Sequence, residues 1–242
     1  MATNHFDERV AMSYDVREGN RPVAEAVAFL AGLAGAGPAL EMGIGTGRVA
    51  LPLSRRGIAV HGIDLSQAMV DRLRAKPGGS AIPVTIGDFA TTRVPGSFSL
   101  VYLVYNTITN LTTQEAQVAC FRNAAAHLAP GGHFVIENYV PWLRRLPPGE
   151  TIHPFDVTPT HLGFEEYDFA TQIAISHHHW LEDGRVEASS VPFRYVWPSE
   201  LDLMAALAGM TLRERWADWD RAPFTGESTS HVSVWAKADP AL

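Results

Sequence analysis

Three glycines alternate in the stretch Leu40-Glu41-Met42-Gly43-Ile44-Gly45-Thr46-Gly47, behind a short apolar run and ahead of residues that can open a helix. Glycine has no Cβ, so the chain can turn sharply there and a ligand can lie against the main chain, while the first amides of the following helix point outward as donors. The charge beside the loop selects among ligands. Glu41 stands two residues before Gly43, where a pyrophosphate would meet a carboxylate at close range and be repelled, whereas a cation would be attracted. Spacing agrees, because a dinucleotide loop reads G-x-G-x-x-G and this one reads Gly43-x-Gly45-x-Gly47. Two further acidic residues end apolar runs, Asp64 at 21 residues beyond Gly43 and then Asp88. A carboxylate at the end of a second strand can accept from both hydroxyls of a ribose. Alone, Asp88 reads as an ordinary acidic turn residue; the succession Glu41, Asp64, Asp88 favours one shared site.

The glycine stretch resembles the first motif of class I S-adenosylmethionine (SAM) dependent methyltransferases, whose cofactor carries a sulfonium and an ammonium group and no phosphate. Gly87-Asp88-Phe89 and the LxPGGxF run from Leu128 to Phe134 are similar to the same family, closely over residues 40–140 and elsewhere by order of elements. The resemblance implies an α/β, Rossmann-like, doubly wound sheet of seven strands in the order 3-2-1-4-5-7-6, with a β-rich cap inserted after the fifth strand. It implies methyl transfer from SAM, leaving S-adenosylhomocysteine, to an O, N or C nucleophile of a small molecule. The cofactor site it implies comprises Glu41, Met42, Gly43, Ile44, Gly45, Thr46 and Gly47, then Asp64, Leu65 and Met69, then Gly87, Asp88 and Phe89, then Val104, Tyr105 and Asn106, with Tyr14 and Arg21 brought over by an N-terminal lid. In that scheme Asp88 accepts from the adenine amino group and Phe89 packs near the ring. The Asn/Asp-Pro-Pro-aromatic motif of enzymes that methylate nucleic-acid bases is absent.

Composition narrows the partners. At 242 residues with a formal charge of −7, the chain suits one α/β core with an attached cap and offers no basic field for a phosphate backbone. A small-molecule acceptor is the expected partner, with neither nucleic acid nor membrane, and with a homodimer as the alternative to a monomer. The opening MATNHFDERV has no signal-peptide pattern and no apolar run reaches the length of a membrane span, so the expected compartment is the cytoplasm. The single cysteine, Cys120, excludes an internal disulfide and a thiolate zinc site; with Ala116 and Ala124 near it on a helix, it reads as core.

The elements that must position these residues follow in order. Residues 1–21 read as the lid, 22–138 as the cofactor core, 139–197 as an antiparallel insertion and 198–242 as a closing helix with two strands. Val23 to Leu33 suits a helix ended by Gly35, and Arg48 to Arg56 a helix that Pro52 should kink by removing one backbone bond. Strands are expected at Ile58–Asp64, Ile82–Ile86, Phe98–Val104 and His133–Asn138, with Ser66 and Thr113 capping the helices between them. After Tyr139 there is no crossover helix for roughly sixty residues, and alternating polar and apolar residues with prolines suit antiparallel strands. Asp183-Gly184 is a two-residue hairpin turn that pairs Glu182 with Arg185, His179 with Ala188 and His177 with Ser190.

Side chains alternate along a strand, so His177 and His179 share a face with Ile175 and Leu181, while His178 shares the other with Trp180. Only two histidines can face one way and no third ligand stands at a metal-binding spacing, so polar surface or a base near the acceptor is the better reading than metal. Methyl transfer needs alignment and a dry pocket more than covalent help from the protein. Residues that could line or deprotonate the acceptor are Tyr14, Tyr105, Asn138, Tyr139, His177, His178 and His179. The alternatives are a SAM-binding protein that transfers no methyl group and an NAD(P)-dependent oxidoreductase, the latter disfavoured by Glu41 and the glycine spacing.

Overall fold

The computed structural model describes residues 6–18, 22–182 and 184–238. Seven strands form the central sheet: β1 Ala39–Met42, β2 Val60–Asp64, β3 Val84–Ile86, β4 Phe98–Leu103, β5 Leu128–Tyr139, β10 Met210–Trp216 and β11 Ser230–Lys237. Their order is β10-β11-β5-β4-β1-β2-β3. The five strands from β5 to β3 run parallel, and β11 is antiparallel to both β5 and β10. With the four strands of the insertion left out of the count, so that β10 and β11 are the sixth and seventh, this is the expected 3-2-1-4-5-7-6 arrangement. The central strands are apolar almost throughout, as they must be when helices cover both faces. Leu40, Met42, Val101 and Leu103 pack on one side with Phe121, Phe134 and Trp235. Ala39, Leu100, Tyr102 and Val135 pack on the other with Leu30 and Leu53.

The helices are α1 Glu8–Glu18, α2 Ala24–Ala34, α3 Ala50–Arg55, α4 Gln67–Arg74, α5 Gln114–His127 and α6 Pro198–Leu207. Ser66 Oγ accepts from Met69 N at 3.3 Å and Thr113 Oγ1 from Ala116 N at 3.1 Å, the two expected caps. Gly35, at φ 57°, ends α2 in a left-handed turn that glycine adopts without strain. Cys120 is fully buried in the core, and burial pushes its thiol far above the usual range.

Three local expectations need correction. The helix expected over Arg48 to Arg56 is shorter, Ala50–Arg55, and Pro52 stands in its first turn between the bonds Leu51 N to Gly47 O at 3.0 Å and Leu53 N to Val49 O at 3.1 Å. The fifth strand begins at Leu128, which pairs with Phe98 across an irregularity before His133 pairs with Leu100. The N-terminal lid contains a helix, α1, that weak local patterning did not announce.

The insertion folds as a second sheet, with β6 Ile152–Val157, β7 His161–Asp168, β8 Ile173–Glu182 and β9 Arg185–Arg194 in that order. All pairs are antiparallel, and Glu182 meets Arg185, His179 meets Ala188 and His177 meets Ser190. The turn residue Asp183 lies outside the described residues.

Candidate active site

The glycine loop leaves β1 at the carboxyl edge of the sheet, where ligands of open α/β sheets bind. Gly43, Gly45 and Gly47 have φ of 77°, 53° and 77°, a left-handed backbone that side chains disfavour. A Cβ on Gly43 would lie 2.7 Å from Thr107 Cγ2, and one on Gly47 would strike the side chain of Leu73. The loop is fastened from β2: Asp64 Oδ2 accepts from Gly45 N at 2.6 Å and its Oδ1 from Ser66 N at 2.8 Å. Gly87 N donates to Asp64 O at 2.8 Å, and Asp88 Oδ1 accepts from Ala90 N at 2.8 Å.

Glu41 lies beneath this loop, fully buried, and accepts from the Tyr102 hydroxyl at 2.9 Å. Burial pushes its carboxyl up to about 8; the Asp64 charge adds to the rise, and the Tyr102 bond opposes it. A cation arriving at the loop would draw that carboxyl into its charged form. Sequence reasoning singled out Glu41 and missed Tyr102, one strand away.

From above, α1 docks on the loop. Thr46 Oγ1 donates to Asp15 Oδ1 at 2.7 Å, and Lys76 Nζ bridges Asp15 Oδ2 at 2.7 Å and Thr46 O at 2.8 Å. Burial opposes the Asp15 charge, but the bonds from Lys76 and Thr46 prevail and hold its carboxyl below the usual range. Tyr14, Glu41, Gly43, Ile44, Gly45, Thr46, Val104 and Tyr105 all line one small space of about 30 Å³ there, room for about one water molecule. The Arg48 guanidinium lies 3.5 Å from the centre of the Tyr105 ring at its wall. Of the other expected cofactor residues, Met69 is buried under Gly45, Leu65 is half-buried, and Met42 and Phe89 belong to the core. Arg21 lies outside the described residues.

Beyond β4 the chain makes an unusual turn, with Tyr105 and Asn106 both left-handed at φ 58° and 57°. Such residues cost about 1–3 kcal/mol each and persist only where neighbours fix them. Tyr105 N donates to Glu137 Oε2 at 2.9 Å and Tyr139 N to Asn106 Oδ1 at 2.8 Å, while Trp219 Nε1 holds the other Glu137 oxygen at 3.0 Å. Glu137 gives no local signal in the sequence; its role appears only when β5 lies beside β4.

This turn separates the glycine loop from a larger cavity of about 310 Å³. Its floor is Asn106, Thr109, Asn110 and Tyr139, and its roof is one face of the cap sheet with His153, Phe155, Glu165, Ser176, Val191 and Phe193, closed at the side by Trp142. Burial raises the Glu165 carboxyl against the opposing bond from the Tyr167 hydroxyl. The Tyr139 hydroxyl is buried and has no hydrogen-bond partner among the described residues, and burial raises its phenol well above the ordinary range.

The seven residues considered for the acceptor therefore divide. Tyr139 lines the cavity, and His178 stands behind a lining residue, its Nε2 3.1 Å from Ser176 Oγ. Tyr14 and Tyr105 face the space beside the loop. Asn138 is fully buried in β5, its amide donating to Tyr139 O at 3.0 Å. His177 and His179 are on the opposite face of the cap sheet, stacked on Phe164 at 4.7 and 6.0 Å. Glu165, Ser176 and His153 were missed because their convergence depends on strand pairings between β6, β7 and β8.

Comparison with known proteins agrees with this geometry. A family model described as a methyltransferase domain matches residues 39–132. The solved CcbJ methyltransferase from Streptomyces caelestis superposes with a TM-score of 0.85 at 36% identity, covering 97% of this chain and 98% of that one. CalS10, a SAM-bound amino pentose methyltransferase from Micromonospora echinaspora, shares the fold at a TM-score of 0.72 and 20% identity, covering 94% of this chain and 96% of its own. A cypemycin N-terminal methyltransferase from Streptomyces sp is 32% identical over 93 residues, which is 38% of each protein. The chain belongs to the S-adenosylmethionine-dependent methyltransferases.

Proposed function

We propose that this enzyme methylates an N or O nucleophile of a small molecule held in the cavity between Asn106, Tyr139 and the cap sheet. The observation that carries this reading is the position of that cavity, separated from the glycine loop only by the Tyr105-Asn106 turn. Relatives support the chemistry, since one is named for methylating an N-terminus and another for an amino pentose. SAM supplies a methyl group on cationic sulfur. Asp64, at the end of β2, and Glu41, under the loop, would hold its ribose and its cationic end, with Asp88 at the adenine and α1 with Tyr14 closing over them. The space beside the loop is far below the roughly 300 Å³ of an ordinary ligand pocket, so entry requires α1 and the Arg48–Tyr105 contact to move. Tyr139 and the cap would exclude water and orient the acceptor. The outer face of the cap sheet, where Leu162, Leu181 and Val186 are exposed, supports a homodimer, which sedimentation can test.

The direct test is conversion of SAM to S-adenosylhomocysteine with a panel of amines, phenols and carboxylic acids, beside calorimetry with SAM and NAD. Acceptor-dependent turnover with SAM binding is expected. Tighter binding of NAD, or SAM binding with no turnover of any acceptor, would overturn the reading.

A further inference from the structure

Ser176 lines the cavity, and an unbroken line of hydrogen bonds runs from it to the edge of the cap sheet. Ser176 Oγ lies 3.1 Å from His178 Nε2, His178 Nδ1 lies 3.0 Å from His161 Nε2, and His161 Nδ1 lies 2.6 Å from Asp156 Oδ2. Strand pairing places all four on the cavity side: Asp156 pairs with Gly163, Gly163 with His178, and Ser176 with Glu165. The His161 and His178 rings are parallel within 9°, and Trp180 lies parallel to both at 5.2 and 5.0 Å. One end of the line is the cavity; the other is open to solvent, the Asp156 side chain being 43% exposed and that of His161 16%.

Hydrogen-bond chemistry gives the line a direction. An ionised carboxylate only accepts, so His161 carries its proton on Nδ1. A neutral imidazole has one N–H, so His161 Nε2 accepts from His178 Nδ1, and His178 Nε2 is left to accept from the Ser176 hydroxyl. Every contact is satisfied at once by neutral rings, and a base is presented toward the cavity through Ser176.

We propose that Ser176, His178, His161 and Asp156 form a relay that carries the acceptor's proton out of the cavity, and that the acceptors are accordingly molecules bearing an N–H or O–H at the atom methylated. This rests on the methyl-transfer reading above. In the step, the acceptor's nitrogen or oxygen bonds the methyl carbon while the sulfur keeps the electron pair of the broken S–C bond. The acceptor's proton passes to Ser176 Oγ, the serine's own proton to His178 Nε2, and the His178 Nδ1 proton to His161 Nε2. The resulting imidazolium on His161 is held by Asp156, from which the proton leaves to water. Ser176 is the catalytic residue of the set; His178, His161 and Asp156 act through it.

Two measurements test the relay. Nitrogen-15 NMR of the imidazoles, with no acceptor present, should find the Nδ1–H tautomer at both His161 and His178. An Nε2–H tautomer at either ring would overturn the proposal. In turnover, Ser176→Ala should lower kcat about 100-fold, as loss of a general base does, with KM for SAM unchanged, and Ser176→Thr should restore it. Asp156→Asn keeps an acceptor for His161 but removes the carboxylate that takes up the departing proton, so kcat should fall with KM for SAM unchanged. The other charged or titratable groups around the pair are His153, Glu165 and Glu187 on neighbouring strands and Arg145 over the Trp142 ring; none is altered by these variants. A parent-like kcat in both Ser176→Ala and Asp156→Asn, or an effect on KM alone, would reduce the line to a structural role. If the parent turns over no acceptor, the methyl-transfer reading fails, and the tautomers still decide the wiring.

Discussion

A buried carboxyl under a glycine loop attracts a cation only if it is charged, and Glu41 is pushed up to about 8 by its burial. At neutral pH it is mostly protonated, so a cationic ligand must expel that proton to gain the attraction. SAM binding should therefore release a fraction of a proton at pH 7, and affinity should rise with pH to about 8 and level off above it. Each pH unit below that value costs up to about 1.4 kcal/mol of binding. Calorimetry in two buffers of different ionisation enthalpy measures the release directly, and Glu41→Gln should abolish it. Asp64 makes a separate prediction. Asp64→Ala should weaken SAM by about 2–4 kcal/mol, from the loss of a charged acceptor at two ribose hydroxyls. It should also lower Tm, because Gly45 N and Ser66 N lose their acceptor. Asp64→Asn keeps one acceptor oxygen, so it should lower Tm less while still weakening SAM. Equal SAM affinity in all three proteins would place the ribose elsewhere.

At the scale of elements, what was legible in the sequence is what local chemistry decides. The turn signal of Asp183-Gly184 in the sequence and the period of two predict the β8–β9 register to the residue, and Glu182 does pair with Arg185 and His177 with Ser190. The alternating glycines announce the loop because at Gly43 and Gly47 a Cβ would strike Thr107 and Leu73. Less legible was anything decided by a distant partner. The helix α1 depends on Asp15 meeting Thr46 and Lys76, and Glu137 on β5 lying beside β4. Register showed which histidines share a face but not which face turns inward. That choice follows from docking of the cap on the core, and it puts Ser176 and His178 on the cavity side and His177 and His179 outside. His177→Ala and His179→Ala should consequently leave acceptor turnover within about twofold, a change under 0.5 kcal/mol. Tyr139→Phe, altering the buried hydroxyl in the cavity wall, should change KM or kcat for the acceptor at unchanged SAM affinity. Steady-state kinetics that reversed this order would place the acceptor on the outer face.

For the molecule as a whole, the cavity exists only while the cap sheet stays seated on the core, and Arg194 at the end of β9 is one of the residues that join them, beside the packing of Tyr139 on Phe193. Its guanidinium is buried and donates to Gln117 Oε1 of α5 at 2.5 Å, to Gln172 Oε1 at 2.8 Å and to Glu200 Oε1 of α6 at 2.6 Å. Glu200 also accepts from Gln114 at 2.9 Å and from Gln172 at 3.1 Å. Burial alone would raise the Glu200 carboxyl, but Arg194 and the two glutamines prevail and hold it below its ordinary value of 4.5. A carboxyl lowered on folding contributes stability that is present above its unfolded value and lost as pH falls through the folded one. The cap should thus loosen below about pH 4.5. Removing one partner of a buried pair leaves the other charge uncompensated and typically costs about 3–5 kcal/mol, whereas replacing both with apolar groups is often neutral. Arg194→Met should therefore destabilise the protein strongly, and Arg194→Met with Glu200→Leu should recover most of the loss. Urea unfolding measures the stabilities, and hydrogen exchange in β6 to β9 shows whether the cap opens before the core. Equal exchange throughout the chain in Arg194→Met would mean that the seven-stranded sheet and the cap unfold as one unit, with Arg194 contributing to global stability and not to the seating of the cap.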